Sequence, residues 1–183
     1  EDELMRHGQV RAAVVVNATG PWCDELRRLE DPSARPLLRR TRGVHVMVRR
    51  ERLGHTAGIT LTSPIDGRVM FVLPWGDFSY IGTTDTDEPG PPEAAAPAEA
   101  DVHYLLRSAN ACFPQAHLTE EDVVSSWAGV RALLDSGDAG SASSVSREHI
   151  IRRGPGGMFT IAGGQLPTFR SMAAELVDEV AAG

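Results

Sequence analysis

The chain has 183 residues, 42% of them hydrophobic, which is enough for one ordinary globular domain. Its net charge of -7 argues against nucleic-acid binding, because phosphate backbones are normally bound by a basic face. All 18 basic residues are Arg, which excludes a Schiff-base Lys, a P-loop Lys and any Lys acid or base.

The first residues predict a strand followed by a helix. Residues 9–20 contain the β-branched run Val14-Val15-Val16 and close on Asn and Gly, as in a buried parallel strand. Residues 21–26 predict the first turn of a helix, with Pro early and acidic residues near the N-terminus. Such corners face ligands in α/β sheets, although an ordinary junction has the same pattern.

The central part of the chain predicts a sheet. Residues 31–43 predict a connection, and residues 44–48 alternate as a strand with three Val on one face and His45 on the other. Residues 59–83 predict two or three strands with a turn at Asp66-Gly67. Two β-prone runs flank the turn at residues 74–77, which predicts a hairpin that brings together the polar residues Thr83, Thr84, Asp85 and Thr86.

The C-terminal half predicts two helices and more strands. Residues 88–100 predict an exposed loop, and residues 101–113 a helix with Asp101 as N-cap and an apolar stripe of Val102, Leu105, Leu106, Ala109 and Phe113. Residues 123–134 predict a strand broken at residues 127–129, residues 135–144 a Gly/Ser/Ala-rich loop, and residues 149–162 a hairpin. A last helix from about Pro167 has the apolar face Phe169, Met172, Ala173, Leu176, Val177 and Val180.

The cysteines and the hydropathy of the sequence limit the compartment and the kinds of site that we expect. Cys23 and Cys112 lie far apart, and no Cys or His spacing suits zinc, so we expect two buried free thiols in a reducing compartment and no metal site. No stretch of this sequence resembles a signal peptide, and we expect no membrane-spanning helix, because no apolar run approaches the roughly 18 residues that one needs. The first residue is Glu1 and not Met, so we expect a processed chain or, in preference, an excerpt of a longer protein.

Seven segments recur in the order and with the spacing of one known family: Val16-Asn-Ala-Thr-Gly-Pro-Trp22, Arg42-Gly-Val-His45, Ser63-Pro-Ile-Asp-Gly-Arg68, residues 71–87, Ser126-Trp-Ala-Gly-Val-Arg131, Ser146-Arg-Glu-His149 and residues 161–170. Together they resemble the FAD-dependent glycerol-3-phosphate dehydrogenases and span nearly the whole chain.

The resemblance implies part of a D-amino-acid-oxidase-like flavoprotein of the α+β or α/β class. A mixed, antiparallel-rich substrate-domain sheet with helices would be flanked by a strand and a helix of a Rossmann-like FAD domain. Residues 1–35 would end the FAD-binding domain, residues 36–160 would form the substrate-binding domain, and residues 161–183 would return to the FAD-binding domain. The sequence contains no GxGxxG, and the Gly-rich residues 154–157 precede a strand, which is the wrong context for a dinucleotide turn.

The resemblance also implies the site. Arg131 and Arg147 would clamp a phosphate through paired charge-assisted hydrogen bonds. His45 would accept the hydroxyl proton of the substrate, since an imidazole titrates near neutral pH. The alternatives are surface arginines and a hydrogen-bonded strand histidine. The substrate pocket would be lined by Thr83, Thr84 and Asp85. The cofactor FAD would be bound by Ala18, Thr19, Gly20, Gly163, Gly164, Gln165, Leu166, Pro167 and Thr168, although a simple strand–helix turn would also explain the two glycines.

The chain departs from the family at three positions. Gln165 stands where the family usually has Lys, so a cation beside the flavin and substrate becomes a neutral amide. Pro167 removes one backbone N–H from the group expected to face the flavin. Ala132 replaces a Pro, which is a milder change.

The implied reaction is oxidation of sn-glycerol 3-phosphate to dihydroxyacetone phosphate, with a membrane quinone as acceptor. The family would place the enzyme in the cytoplasm, with peripheral association on the inner face of the cell membrane and a homodimer as further possibilities. Two alternatives stay open: an oxidase that passes electrons to oxygen, and a non-catalytic remnant that binds a phosphorylated ligand or a partner. The missing Lys and Pro167 favour the remnant.

Overall fold

The computed structural model describes residues 8–135, 137 and 147–183. In this part of the chain the strands are β1 Val16–Asn17, β2 Leu38–Arg49, β3 Ile59–Thr62, β4 Val69–Trp75, β5 Phe78–Gly82, β6 Thr86–Asp87, β7 Val123–Leu134, β8 His149–Arg153 and β9 Phe159–Gly163. The α-helices are α1 Cys23–Glu30, α2 Glu99–Cys112 and α3 Phe169–Ala182. Short 3₁₀ turns lie at Gly20–Trp22, Arg50–Arg52, Pro92–Ala94, Glu120–Asp122 and Leu166–Thr168.

The larger sheet is antiparallel and is organised around β2. Strand order is β3-β4-β5-β2-β6, and β7 pairs with β2 along nearly its whole length. Val44, Val46 and Val48 project from one face of β2 and are fully buried. They pack in the main core with Met70, Val72, Ile81 and the α2 residues Leu105 and Leu106. The predicted strand with its Val face and the apolar stripe of α2 are therefore confirmed, since helix and sheet each bury one face.

The smaller sheet has the order β1-β9-β8. Strands β1 and β9 are parallel, with Val16 opposite Phe159 and Asn17 opposite Thr160. Because parallel strands end at the same sheet edge, the segments that follow β1 and β9 lie side by side. The hairpin predicted for residues 149–162 is confirmed as β8 and β9. An antiparallel-rich sheet flanked by a parallel strand and a helix is the predicted fold class, whereas the predicted domain limits stay a prediction.

Two predictions about the N-terminal half are wrong. The first strand has only two residues and lies at a sheet edge, so Val14, Val15 and Val16 are exposed and not buried. The connection predicted for residues 31–43 ends early, because β2 begins at Leu38 and pairs with the end of β7. The β3–β4 turn at Asp66-Gly67 and the β4–β5 hairpin form as predicted.

Further corrections concern the C-terminal half. Helix α2 begins at Glu99, so Asp101 is its third residue and its carboxylate accepts a hydrogen bond from the Ala98 N–H at 3.1 Å. Strand β7 continues through residues 127–129, because Gly129 pairs with Gly43 in the ladder. Of the two thiols, Cys23 is buried but Cys112 is exposed. Burial, with Asp24 adding to it, raises the pKa of the Cys23 thiol to about 11.

Helix α3 forms where predicted, but much of its apolar face is open. Leu176 is buried, whereas Phe169 and Val177 are exposed. Most of the loop predicted for residues 135–144 lies outside the described residues. In the described part of the chain, no helix combines the length and apolarity needed to cross a membrane.

Candidate functional site

One face of the β2–β7 ladder carries the predicted base and the predicted phosphate ligand. Across the ladder Thr41 lies opposite Arg131, Gly43 opposite Gly129, and His45 opposite Trp127. Because side chains alternate along a strand, all of these project from the face opposite to the Val core. The glycine pair between the Arg and the His adds no side chain, so the sheet surface is bare between them.

The Arg131 side chain lies over this bare surface. A Cβ atom on Gly43 would collide with the guanidinium. The guanidinium donates hydrogen bonds to the Thr83 hydroxyl at 2.9 Å, the Thr84 carbonyl at 3.2 Å and the Asp85 carboxylate at 3.2 Å. These bonds use three of the five N–H donors of an Arg. Among the described residues the other two donors contact no acceptor at hydrogen-bonding distance, so the guanidinium is anchored and still has donors for a ligand.

The Thr-Thr-Asp cluster thus supports Arg131. Asp85 is an acceptor whose side chain is 6% exposed, and a carboxylate does not bind a phosphate directly. Thr84 is buried, and its hydroxyl accepts a hydrogen bond from the Val44 N–H at 2.9 Å. The sequence predicted that these residues come together, which the structure shows. Their assignment as direct pocket residues stays a prediction, with Thr83 the best placed of the three.

His45 lies in an aromatic setting on the same face. Its imidazole stacks on the Trp127 ring, with centroids 5.3 Å apart and planes 10° apart, and meets Tyr80 edge-on at 6.0 Å. Gly82 lies opposite His45 on β5, and a Cβ atom there would collide with the imidazole. Burial, followed by the positive charge of Arg131, lowers the pKa of His45. The ring is therefore neutral and able to accept a proton at pH 7.

Two further arginines belong to the surroundings of Arg131. Burial lowers the pKa of Arg131, the Asp85 carboxylate opposes that effect, and the positive charges of Arg147 and Arg68 add to it. Arg147, which the sequence predicted, is exposed and lies within electrostatic reach of Arg131. Arg68 was not predicted. Its motif at residues 63–68 was recognised, but nothing in the sequence shows that it lies near β7.

The predicted cofactor-binding residues meet at one edge of the smaller sheet. Ala18, Thr19 and Gly20 follow β1, and residues 164–168 follow β9, so the parallel pairing makes both segments leave the sheet at the same edge. Asn17 organises the first segment: its carboxamide accepts from the Thr19 hydroxyl at 2.7 Å and donates to the Cys23 carbonyl at 2.9 Å. The sequence analysis did not single out this fully buried Asn, although it is the second residue of the recognised motif that begins at Val16.

Gly163 and Gly164 form a tight corner before α3. Both have positive φ, 78° and 77°, which favours glycine. A Cβ atom on Gly163 would collide with the Glu148 carbonyl, and one on Gly164 with the Met172 sulfur. The chain then enters the turn Leu166–Thr168, where the first N–H groups have no partner within the helix. Exposed donors at a helix N-terminus suit an anionic or electron-rich ring edge, so the residues present fit a flavin.

Gln165 and Pro167 lie within that donor group. Both are exposed, and Pro167 sits in the first turn, where its ring is tolerated but supplies no N–H. Away from this site, Glu99, His103 and Glu120 bring three potential metal-ligand atoms within 4.8 Å of one another on the surface. A His103–Glu120 contact, together with the four-residue spacing of Glu99 and His103 on α2, accounts for their proximity.

A half-buried guanidinium and an imidazole on one sheet face, together with a glycine corner before a helix, fit a flavoprotein oxidoreductase of the D-amino-acid-oxidase-like class. Over residues 3–174 the sequence matches the FAD dependent oxidoreductase family, and the chain belongs to that family.

Its relatives agree with the resemblance seen in the sequence. The chain is 41% identical over 170 residues to "Glycerol-3-phosphate dehydrogenase 2" of Mycobacterium tuberculosis (strain ATCC 25618 / H37Rv), covering 93% of this chain and 28% of that protein. It is 36% identical over 173 residues to "Aerobic glycerol-3-phosphate dehydrogenase" of Staphylococcus haemolyticus (strain JCSC1435), covering 94% and 31%. The glycerol-3-phosphate dehydrogenase of Bacillus halodurans complexed with FAD matches with a TM-score of 0.80 and 37% identity over 93% of this chain and 32% of that one. The chain therefore spans about a third of the length of these relatives.

Proposed function

We propose that this chain forms the substrate-binding portion of an FAD-dependent glycerol-3-phosphate dehydrogenase. The observation that carries the proposal is the placement of Arg131 and His45 on one sheet face, with only the Gly43–Gly129 pair between them. A cation that keeps its charge and a base that is neutral at pH 7 are what a phosphorylated alcohol requires. The relatives named above support the choice of substrate.

Arg131 would hold the phosphate. Its fork is fixed by Thr83, the Thr84 carbonyl and Asp85, so little side-chain entropy is lost when a ligand binds. Arg147 would add a second positive charge, since its field already reaches Arg131. Two positive charges within electrostatic reach of each other favour a dianionic group over a neutral one.

His45 would accept the proton of the substrate hydroxyl at C2. Its lowered pKa keeps the ring unprotonated, and the Arg131 guanidinium, which lies over Gly43, is on the same sheet face as His45. When bound, FAD supplies the hydride acceptor of the oxidation. Gly163, Gly164, Gln165 and Leu166 would bind the cofactor, together with Ala18, Thr19, Gly20 and the turn residues Pro167 and Thr168.

The proposal also includes the molecule that reoxidises the flavin. By analogy with the family we propose a quinone, which a peripheral enzyme on the inner face of the cell membrane could reach. An oxidase would instead produce hydrogen peroxide. Steady-state oxidation of glycerol 3-phosphate by the holoenzyme, with a soluble quinone and with oxygen as separate acceptors, distinguishes the two.

Glycerol is the matched control substrate because it keeps the hydroxyl groups and lacks the phosphate. We expect kcat/KM for glycerol 3-phosphate to exceed that for glycerol by at least a factor of about 30, the value of roughly 2 kcal/mol of charge pairing. Equal turnover of both would refute the assigned phosphate site. Absence of oxidation, combined with retained binding of glycerol 3-phosphate, would instead support the non-catalytic remnant, for which Gln165 is the specific observation.

A further inference from the structure

The flat contact between His45 and Trp127 is a feature that the proposed function does not explain. The two rings lie 10° from parallel with their centroids 5.3 Å apart, and they face each other across the β2–β7 ladder. Trp127 is 39% exposed, so the stack is not needed to complete the hydrophobic core, which lies on the other sheet face. This contact places an electron-rich surface directly against the candidate base.

The neighbours of His45 on β5 hold the imidazole parallel to the Trp127 ring. Gly82 on β5 opens the space that the ring occupies, since a Cβ atom would collide with it. Tyr80 on β5 meets the ring edge-on, with planes 70° apart. The ring is thus bounded by β5 on one side and by the Trp127 face on the other, and truncation of Trp127 would free its rotation.

The stack also acts on the charge of the ring. Burial and the Arg131 charge both disfavour the imidazolium that forms when His45 accepts a proton. An indole face attracts a cation within about 6 Å of its centroid. Trp127 therefore offsets part of the penalty at the moment when the proton arrives. Arg131 on β7 and Tyr80 on β5 are the other charged or titratable side chains that face His45 in the described structure.

We propose that Trp127 is a positioning residue for His45: it fixes the plane of the imidazole and stabilises its protonated form during proton transfer from the substrate hydroxyl. The inference rests on the proposed function, in which His45 is the base. The proton moves from the hydroxyl oxygen to an imidazole nitrogen, and the positive charge created there is stabilised by the indole face.

The test compares Trp127→Leu, Trp127→Phe and the matched control Trp75→Leu in the holoenzyme. Leu keeps apolar cover over His45 but removes the π face, whereas Phe restores a smaller one. Trp75 is an exposed Trp on the same sheet face that contacts Tyr80 and not His45. Histidine-selective NMR follows the His45 ring resonances and their titration, and steady-state kinetics with glycerol 3-phosphate follows kcat/KM against pH.

With Trp127→Leu we expect the His45 ring protons to lose their ring-current shift and the His45 titration to move to lower pH. The acidic limb of kcat/KM should move with it, and the plateau should fall about threefold to tenfold. Trp127→Phe should stay near the parent, and Trp75→Leu should change neither readout. Unchanged resonances, a titration that moves to higher pH, or a Phe variant as impaired as Leu would each overturn the inference. If the holoenzyme does not oxidise glycerol 3-phosphate, the proposed function fails, and the NMR titration alone decides the role of Trp127.

Discussion

Substitution of Arg131 by Ala tests the phosphate site most directly. The change removes the anchored fork that lies over Gly43 and leaves the neighbouring strands unaltered. We expect KM for glycerol 3-phosphate to rise while flavin content stays close to that of the parent, because the predicted flavin contacts lie after β1 and β9.

The expected rise in KM depends on how exposed the Arg131 side chain is. Loss of one partner of a buried, hydrogen-bonded charge pair costs about 2–5 kcal/mol. The Arg131 side chain is 23% exposed, so solvent screening favours the lower half of that range. About 2–3 kcal/mol corresponds to a rise in KM of roughly 30- to 150-fold, at about 1.4 kcal/mol per factor of ten.

Stability must be separated from binding, because Arg131→Ala leaves Asp85 buried without its cation. The double variant Arg131→Ala/Asp85→Asn removes that unpaired charge and should recover thermal stability without recovering KM. Arg131→Lys keeps one charge but loses the planar fork, so its KM should fall between those of the parent and the Ala variant. The exposed Arg152 on β8 provides a matched control as Arg152→Ala.

The assay is steady-state oxidation of glycerol 3-phosphate, with glycerol as the phosphate-free substrate and with flavin absorbance and thermal unfolding measured in parallel. In the Ala variant the discrimination between the two substrates should collapse. A KM for glycerol 3-phosphate within twofold of the parent, in a folded and flavin-loaded variant, would show that Arg131 only supports the sheet.

Three further predictions concern the base and the cofactor corner. The kcat/KM of the parent should keep its acidic limb below the usual His range, because burial and the Arg131 charge lower the pKa of His45, and Arg131→Gln should move that limb to higher pH. In Gly82→Ala the new methyl group would collide with the imidazole. We expect kcat/KM to fall at least about tenfold and the free energy of unfolding, from thermal unfolding, to fall by about 1–3 kcal/mol. A variant with unchanged activity and stability would contradict the packing described. Gln165→Lys should raise kcat roughly tenfold or more in stopped-flow flavin reduction, since an ammonium stabilises developing negative charge better than an amide; no gain over an already fast parent would remove the main support for the remnant.

Local sequence patterns predicted the strands and helices of this fold better than they predicted which strands pair with each other. The alternation in residues 44–48 placed Val44 and His45 on opposite faces, as observed, because strand periodicity is a property of neighbouring residues. The break predicted at residues 127–129 did not form, because Gly129 is paired in register with Gly43, which is 86 positions earlier in the chain. That pairing could not be read from either segment alone.

The same limit applies to the candidate site. Motifs singled out His45, Arg131 and the Thr-Thr-Asp cluster, but their joint geometry depends on β2 pairing with both β5 and β7. The exposed valines before β1 were predicted to be buried, since the sequence does not show that β1 is an edge strand of a small sheet. Neither the support that Asp85 gives Arg131 nor the stack of Trp127 on His45 is visible before the strands are aligned.

The ladder between β2 and β7 has a consequence for the length of substrate that could fit between Arg131 and His45. Its register is regular from Leu38 to Met47 and shifts only between Met47 and Val48, beyond the position of His45. The spacing between the candidate phosphate ligand Arg131 and the candidate base His45 is therefore set by backbone hydrogen bonds and not by the conformation of a loop. Deletion of one residue between Trp127 and Arg131 would turn the Arg towards the Val core, whereas loss of two would keep its face but displace it by about 7 Å. If the proposed roles of Arg131 and His45 hold, the pairing of these two strands would determine which substrate length the site accepts.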